Sequence, residues 1–180
     1  MPTEFISTWG RVTPELQSEL VDLWARNGAL RDPSIAGARA RQAVCIARDG
    51  KGALVGVGTA SLRVLPRLRQ PMYYYRQFFA PELRGKGQAV AFLNHARQVL
   101  QDHNAALPSP ESLGVLLEVE SAMLAGHYDR ACVAEVDSTF IGYSPRGLQL
   151  RVSYFEGARL LAPRSPRPRR PSAPVAPAVG

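Results

Sequence analysis

Arg84-Gly85-Lys86-Gly87-Gln88-Ala89 is the stretch on which the reading of this chain turns. It follows an apolar, aromatic segment at 72–79 and a turn, Ala80-Pro81-Glu82-Leu83, and it opens an amphipathic segment at 89–100. In order these read as strand, turn, glycine-rich loop and helix. A loop of this kind leaves backbone N–H groups unpaired at a helix N-terminus, where the helix dipole favours negative charge. Gly85 and Gly87 carry no side chain to bar a phosphate from those groups.

Two familiar phosphate loops are excluded. The Walker form needs Gly, four residues, then Gly-Lys-Ser/Thr, and the dinucleotide fingerprint needs three glycines after the first strand of its unit. Neither pattern occurs. The run resembles instead the acyl-CoA pyrophosphate loop of the GNAT superfamily (Gcn5-related N-acyltransferases), Arg/Gln-x-x-Gly-x-Gly/Ala, with Arg84, Gly87 and Ala89 on its defined positions. The lead-in Phe79-Ala80-Pro81-Glu82-Leu83 is similar to that family's strand end, an apolar residue followed by x-Pro-Glu and a further apolar residue.

At 180 residues, 46% apolar and 21% charged, the chain has the size and composition of one ordinary globular domain. No apolar run approaches the ~20 residues of a membrane span. Met1-Pro2-Thr3-Glu4 lacks the basic and apolar segments of a secretory signal. Cys45 and Cys132, far apart and not at metal-ligand spacing, read as reduced thiols of a cytoplasmic protein. His95, His103 and His127 form no ligand cluster, so no metal is expected. Of the net charge of +7, four come from Arg164, Arg167, Arg169 and Arg170 in a stretch without acids, leaving +3 on residues 1–163. That modest surplus suits a small anionic ligand as well as it suits nucleic acid.

Outward from the loop, hydrophobic periodicity places the remaining elements. Residues 4–9 read as a strand. Thr13-Pro14-Glu15 is an N-cap, an N1 proline and an early acid, and opens a helix whose Leu16, Leu20, Leu23 and Trp24 recur at helical spacing until Asn27-Gly28. A short helix is expected at 34–41. Strands at 42–48 and 53–64 flank the hairpin signal Asp49-Gly50-Lys51-Gly52. Gly56 and Gly58 within the second strand point to a bulge or a close backbone approach. Further strands are predicted at 113–120, 133–142 and 148–155, with a helix at 121–130. Beyond residue 161 the chain is Pro, Arg, Ala and Ser without a core-forming pattern, and a disordered tail is expected over 162–180.

The resulting order, β-α-(α)-β-β-β-α-β-α-β-β, is also that of the GNAT fold. The resemblance covers residues 4–160 and implies an α/β (α+β) domain over 1–161. Its mixed central sheet of about seven strands would splay after the loop strand and be flanked by about four helices.

What the family resemblance implies about activity is acyl transfer from acetyl-CoA or another acyl-CoA to an amine acceptor in a ternary complex. The acceptor would be a small molecule or a lysine, ornithine or N-terminal amine of a peptide, and a homodimer is compatible with that reading. Gly85, Lys86, Gly87, Gln88 and Ala89 would hold the pyrophosphate, with Arg84 or Lys86 adding charge. The main chain at Phe78 and Phe79 would meet the pantetheine and the thioester carbonyl. Ser121 stands where the family has Asn, and Tyr128-Asp129-Arg130 matches its Tyr-acid-base triplet, which makes Tyr128 the candidate general acid; the usual Gly-Phe after it is Ala131-Cys132. Glu118 and Glu120, two apart on one strand face, are candidates for the base or for ion-pair partners of Arg76. Tyr73-Tyr74-Tyr75-Arg76 could form a stacking platform for single-stranded nucleic acid, but reads better as core and pocket wall. The competing reading is a non-catalytic domain of the same fold that binds CoA, protein or RNA.

Overall fold

Eight strands form one mixed sheet in the order β1-β2-β3-β4-β5-β8-β7-β6, in a computed structural model that describes residues 3–163. The elements are β1 (Glu4–Ser7), α1 (Pro14–Arg26), α2 (Ala36–Ala40), β2 (Ala43–Arg48), β3 (Leu54–Leu65) and β4 (Gln70–Phe79), then α3 (Gln88–Ala106), β5 (Gly114–Val119), α4 (Ala122–His127), β6 (Cys132–Val133), β7 (Ser138–Tyr143) and β8 (Gln149–Tyr154). All neighbours run antiparallel except β4 and β5, which are parallel. The α/β architecture is as expected, with eight strands where about seven were anticipated. All but the first two residues of the expected disordered tail lie outside the described residues.

The start of α1 follows its sequence signal: the Thr13 hydroxyl accepts the Leu16 N–H at 3.3 Å, with Pro14 at the first turn. Leu20, Leu23 and Trp24 bury the inner face of this helix. In β4, alternate residues face opposite sides of the sheet. Tyr73, Tyr75 and Phe79 face α3, and the Phe79 ring meets Phe92 edge-on at 5.2 Å. Arg76 and Phe78 face α1 and α2, sharing a hollow with Trp24 and Arg39. All three tyrosines of the 73–75 run are buried, so they offer no stacking platform for bases.

The glycines of β3 serve close approach. A Cβ at Gly58 would lie 2.5 Å from the Tyr75 hydroxyl, and one at Gly56 would lie 2.7 Å from the Phe79 ring. The aromatic rings of β4 therefore lie flat across β3, in space that any side chain would fill.

Three expected elements differ in extent. The strand predicted at 133–142 is broken into β6 and β7 by a 3₁₀ turn at Ala134–Val136, after which Asp137 takes φ +43°. The helix predicted to reach residue 130 ends at His127, because the backbone of the next residues is drawn onto another side chain, Arg151. Conversely α3 runs on to Ala106, since no proline or glycine interrupts it before Pro108.

The pairing of β4 with β5 is short, and this creates the site. Only Tyr73–Tyr75 pair with Val115–Leu117; beyond them the two strands part. On its other edge β4 stays paired with β3 up to Phe79, and β5 stays paired with β8 up to Val119. The parted segments leave a wedge-shaped gap at the C-terminal ends of the two central strands.

Candidate active site

The gap is an open cleft of about 230 Å³, walled on one side by Tyr75, Arg76 and Gln77 of β4 and on the other by Leu117, Glu118 and Val119 of β5. Ala89 and Leu93 of α3 close one end, and Ser121, Leu124 and Tyr128 another. The sequence-predicted residues Glu118, Glu120, Ala89, Ser121 and Tyr128 thus converge on one cavity.

The parted strands offer main-chain groups to this cleft. The Ala80 N–H donates to the Val55 carbonyl at 2.8 Å, so Ala80 and Val55 form a hydrogen-bonded pair of the β3–β4 ladder. Pairs of this kind alternate along an antiparallel ladder. Phe78 is therefore turned towards β3, while the N–H and C=O of Gln77 and Phe79 point away from it, to the side where β5 has diverged. Of the two main-chain positions singled out from sequence, Phe79 faces the gap and Phe78 does not. Gln77, not singled out, joins it. The Phe79 carbonyl accepts the Arg84 Nε–H at 2.9 Å, and the Arg84 guanidinium lies 5.5 Å from the centre of the Phe78 ring.

At the glycine loop, Gly85 and Gly87 both take left-handed backbone conformations, φ +73° and +68°, and Gly87 is the N-cap of α3 with no side-chain cap. A Cβ at either would meet nothing within 4 Å. Glycine is required here by backbone conformation, and the space beside the exposed N–H groups stands open. Lys86 and Arg84 are exposed at the rim. Left-handed glycines leading into an uncapped helix start, with two cations beside them, leave room and donors for an anion.

Across the cleft, neither Glu118 nor Glu120 pairs with Arg76, one of the two roles expected for them. Arg146, from the turn between β7 and β8, takes both. Its Nη2 lies 2.7 Å from Glu118 Oε2 and 2.8 Å from Glu120 Oε1, and its Nε 3.3 Å from Glu118 Oε1. The β5–β8 register carries that turn past the end of β5, which puts a guanidinium within reach of both acids. The Tyr74 hydroxyl also donates to Glu118, and Arg76 Nη2 donates to the Tyr74 oxygen at 3.0 Å. Burial alone would push the Glu118 carboxyl up, but hydrogen bonds from Arg146, Ser144 and Tyr74 and the charge of Arg146 prevail and bring it down to about 2. With its side chain only 8% exposed against 59% for Glu120, Glu118 is a locked anion and Glu120 the accessible one.

Tyr128 lines the cleft just beyond the end of α4. Its phenol is pushed above the ordinary tyrosine range by burial and then by the negative charge of Glu135, against a smaller opposing effect of Arg151. It stays protonated at neutral pH, as a proton donor must. Ser121 caps α4, accepting the Leu124 N–H at 3.4 Å. Arg151 is 1% exposed and binds the segment after Tyr128 by its carbonyls, a role no sequence pattern signals. No group of three or more His, Cys, Asp or Glu side chains among the described residues is placed to hold a metal. No described helix is long and apolar enough to cross a membrane.

No protein-family model matches the chain, and no curated protein sequence matches it. Solved structures do. A GNAT acetyltransferase from Streptococcus pneumoniae aligns over 86% of this chain and 99% of its own, at 12% identity and TM-score 0.59. A Gcn5-related N-acetyltransferase from Kribbella flavida aligns over 85% and 98%, at 13% identity and TM-score 0.57. NAA60 from Arabidopsis thaliana, in complex with acetyl-CoA, aligns over 86% and 100%, at 12% identity and TM-score 0.56. The chain is built on the GNAT fold.

Proposed function

We propose that this protein is an acyl-CoA-dependent N-acyltransferase acting on a primary amine. One observation carries the reading: the wedge between β4 and β5 has the start of α3, led by an open, uncapped glycine loop, at one end and carboxylates and a phenol on its walls. The acyl-CoA, when bound, supplies an activated thioester.

The residues divide by face. On the α3 side, the N–H groups around Gly85 to Ala89 bind the pyrophosphate, and the N–H and C=O of Gln77 with the N–H of Phe79 align the pantetheine arm. A main-chain N–H held in a rigid strand also donates to the thioester carbonyl oxygen, where charge builds as the amine attacks. On the α1–α2 side, the amine enters beside Glu120. Glu120 takes the proton that the nitrogen loses as the N–C bond forms, directly or through a water. Tyr128 delivers a proton to the sulfur as the C–S bond breaks, and buffer restores both groups. Glu118, held as an anion by Arg146, fixes the position of Glu120 through the shared guanidinium.

The test joins binding to turnover. Calorimetry should show CoA binding that depends on the glycine loop, and a thiol-release assay with acetyl-CoA and an amine panel should show amine-dependent turnover. CoA binding without thiol release from any amine would favour the non-catalytic reading.

A further inference from the structure

Three arginines gather on the α1–α2 side of the sheet, next to the cleft. Arg39 comes from α2, Arg63 from β3 and Arg76 from β4, and with Tyr74 they line a pocket of about 190 Å³. The guanidiniums of Arg63 and Arg76 lie 4.3 and 4.6 Å from the centre of the Tyr74 ring. Arg39 and Arg76 are half-buried. Among the described residues none of the three has a carboxylate within ion-pair distance, because Glu118 and Glu120 are both engaged by Arg146. The Arg76 Nε–H is buried with no hydrogen-bond partner.

Holding three cations together with a buried donor unsatisfied costs free energy, since like charges repel and an unpaired buried donor has lost its water. The Arg39 guanidinium is disfavoured first by burial and then by the charge of Arg76, which together outweigh the smaller opposing effect of Glu120. Cation–π contact with Tyr74 offsets part of this cost, and the Tyr74 oxygen accepts from Arg76 Nη2 at 3.0 Å, but neither gives the Arg76 Nε–H an acceptor.

The pocket adjoins the cleft through shared lining residues. An adjoining hollow is lined by Arg39, Arg76, Gln77 and Glu120, and Arg76, Gln77 and Glu120 also line the cleft itself. A ligand with one end at Glu120 would carry its other end onto the arginines.

We infer that the acceptor amine carries an oxyanion, a carboxylate or a phosphate, which Arg39, Arg63 and Arg76 bind while the amine lies at Glu120. The planar guanidinium forks suit either anion, and the pocket's size favours a small molecule. The inference rests on the acyltransferase reading for the amine, but the anion site has a readout of its own.

The Arg76 Nε–H resonance, identified by its loss in Arg76→Lys, is followed in ¹⁵N-labelled protein titrated with glycine or O-phosphoethanolamine. Glycinamide and ethanolamine keep the amine and lack the oxyanion, and in that sense serve as neutral partners. A saturable shift with an anionic member and none with its neutral partner is expected; which anion binds more tightly identifies the group. Arg39→Gln and Arg63→Gln should each weaken that binding about tenfold or more, as loss of a charged hydrogen bond does. In turnover with acetyl-CoA, the anionic amine should exceed its neutral partner about tenfold or more in kcat/KM, and Arg39→Gln should erase the preference. Equal shifts with charged and neutral partners, no shift with either anion, or wild-type binding in an Arg39→Gln/Arg63→Gln protein would overturn the anion site. Thiol release without anion preference would also overturn it and leave the acyltransferase reading intact. A saturable anion shift with no thiol release from any amine would support the anion site and count against acyl transfer.

Discussion

Arg151 donates from Nη1 to the carbonyl of Tyr128 at 3.1 Å, and so ties the candidate acid of the cleft to the middle of β8. The same guanidinium donates to the carbonyls of Arg130 at 2.7 Å and Ala131 at 3.1 Å, and through Nε to the Ser138 hydroxyl at 3.0 Å. A fully buried cation is thus held by neutral oxygens alone, with none of the described carboxylates in ion-pair contact. The fork of a guanidinium makes this possible, since it presents several donors in fixed directions. Without it, the carbonyls of Tyr128 and Arg130 would lose their donor, while that of Ala131 would keep the Phe140 N–H at 2.7 Å.

Arg151→Met should therefore cost about 2–4 kcal/mol, the expense of orphaned acceptors less the relief of a buried charge. Arg151→Lys should not restore the loss, because one ammonium does not reach all four oxygens. Denaturant unfolding gives the stability, and hydrogen exchange should show amides 128–131 losing protection in both variants. A lysine variant as stable as wild type would mean that the charge, and not the fork, is what matters.

For Tyr128 itself, removal of the hydroxyl should leave packing intact. Tyr128→Phe is expected to lower turnover on the order of 100-fold or more, with CoA affinity and melting temperature little changed. Burial and Glu135 raise the phenol above its usual value of 10.0. The alkaline limb of the wild-type rate profile should then lie above pH 10, and the variant should lack it. Near-wild-type turnover, in a step shown to be limited by chemistry, would reduce Tyr128 to a packing residue.

Local sequence was enough for much of this molecule and silent on a definite part. Thr13-Pro14 marked α1, the loop at 84–89 marked the start of α3, and Glu118, Glu120 and Tyr128 were placed by spacing or by family resemblance on the cleft they line. What escaped was whatever depends on which strands adjoin. Arg146 reads as an ordinary turn residue until β8 is known to pair with β5, and only then does it displace Arg76 as partner of the two acids. Arg39, Arg63 and Arg76 are unremarkable in three separate segments and meet only across the sheet. The choice of Phe79 over Phe78 follows from ladder phase, which a run of apolar residues does not encode.

The Glu118–Arg146 contact has a defined pH signature. The carboxyl is held at about 2, below its ordinary 4.5, so its stabilising contribution is complete above pH 4.5 and is lost as pH falls from there through about 2. Glu118→Gln should lower stability at neutral pH by on the order of 2 kcal/mol, and the gap from wild type should close between those two pH values. In a double-mutant cycle, Arg146→Ala and Glu118→Gln should be less than additive, since each already breaks the same pair. A gap independent of pH down to 2 would show that the glutamine merely packs badly.

The glycine loop separates conformational strain from ligand binding. Gly87 takes φ +68°, so any L-residue there is strained by roughly 1 kcal/mol whatever its side chain. Gly87→Ala should show that loss and little else, because its Cβ points into open space. Gly87→Glu shares the strain but adds bulk and negative charge where the pyrophosphate would sit. Its melting temperature should match that of the alanine variant, while its CoA affinity falls about 100-fold or more, the loss of a charge-assisted phosphate contact compounded by repulsion. Calorimetric titration with CoA, at low and moderate salt, distinguishes the two. The glutamate penalty should shrink as salt screens the repulsion, and the alanine penalty should not. If both variants bind CoA as wild type does, the pyrophosphate lies elsewhere and the α3 N-terminus is only a helix start.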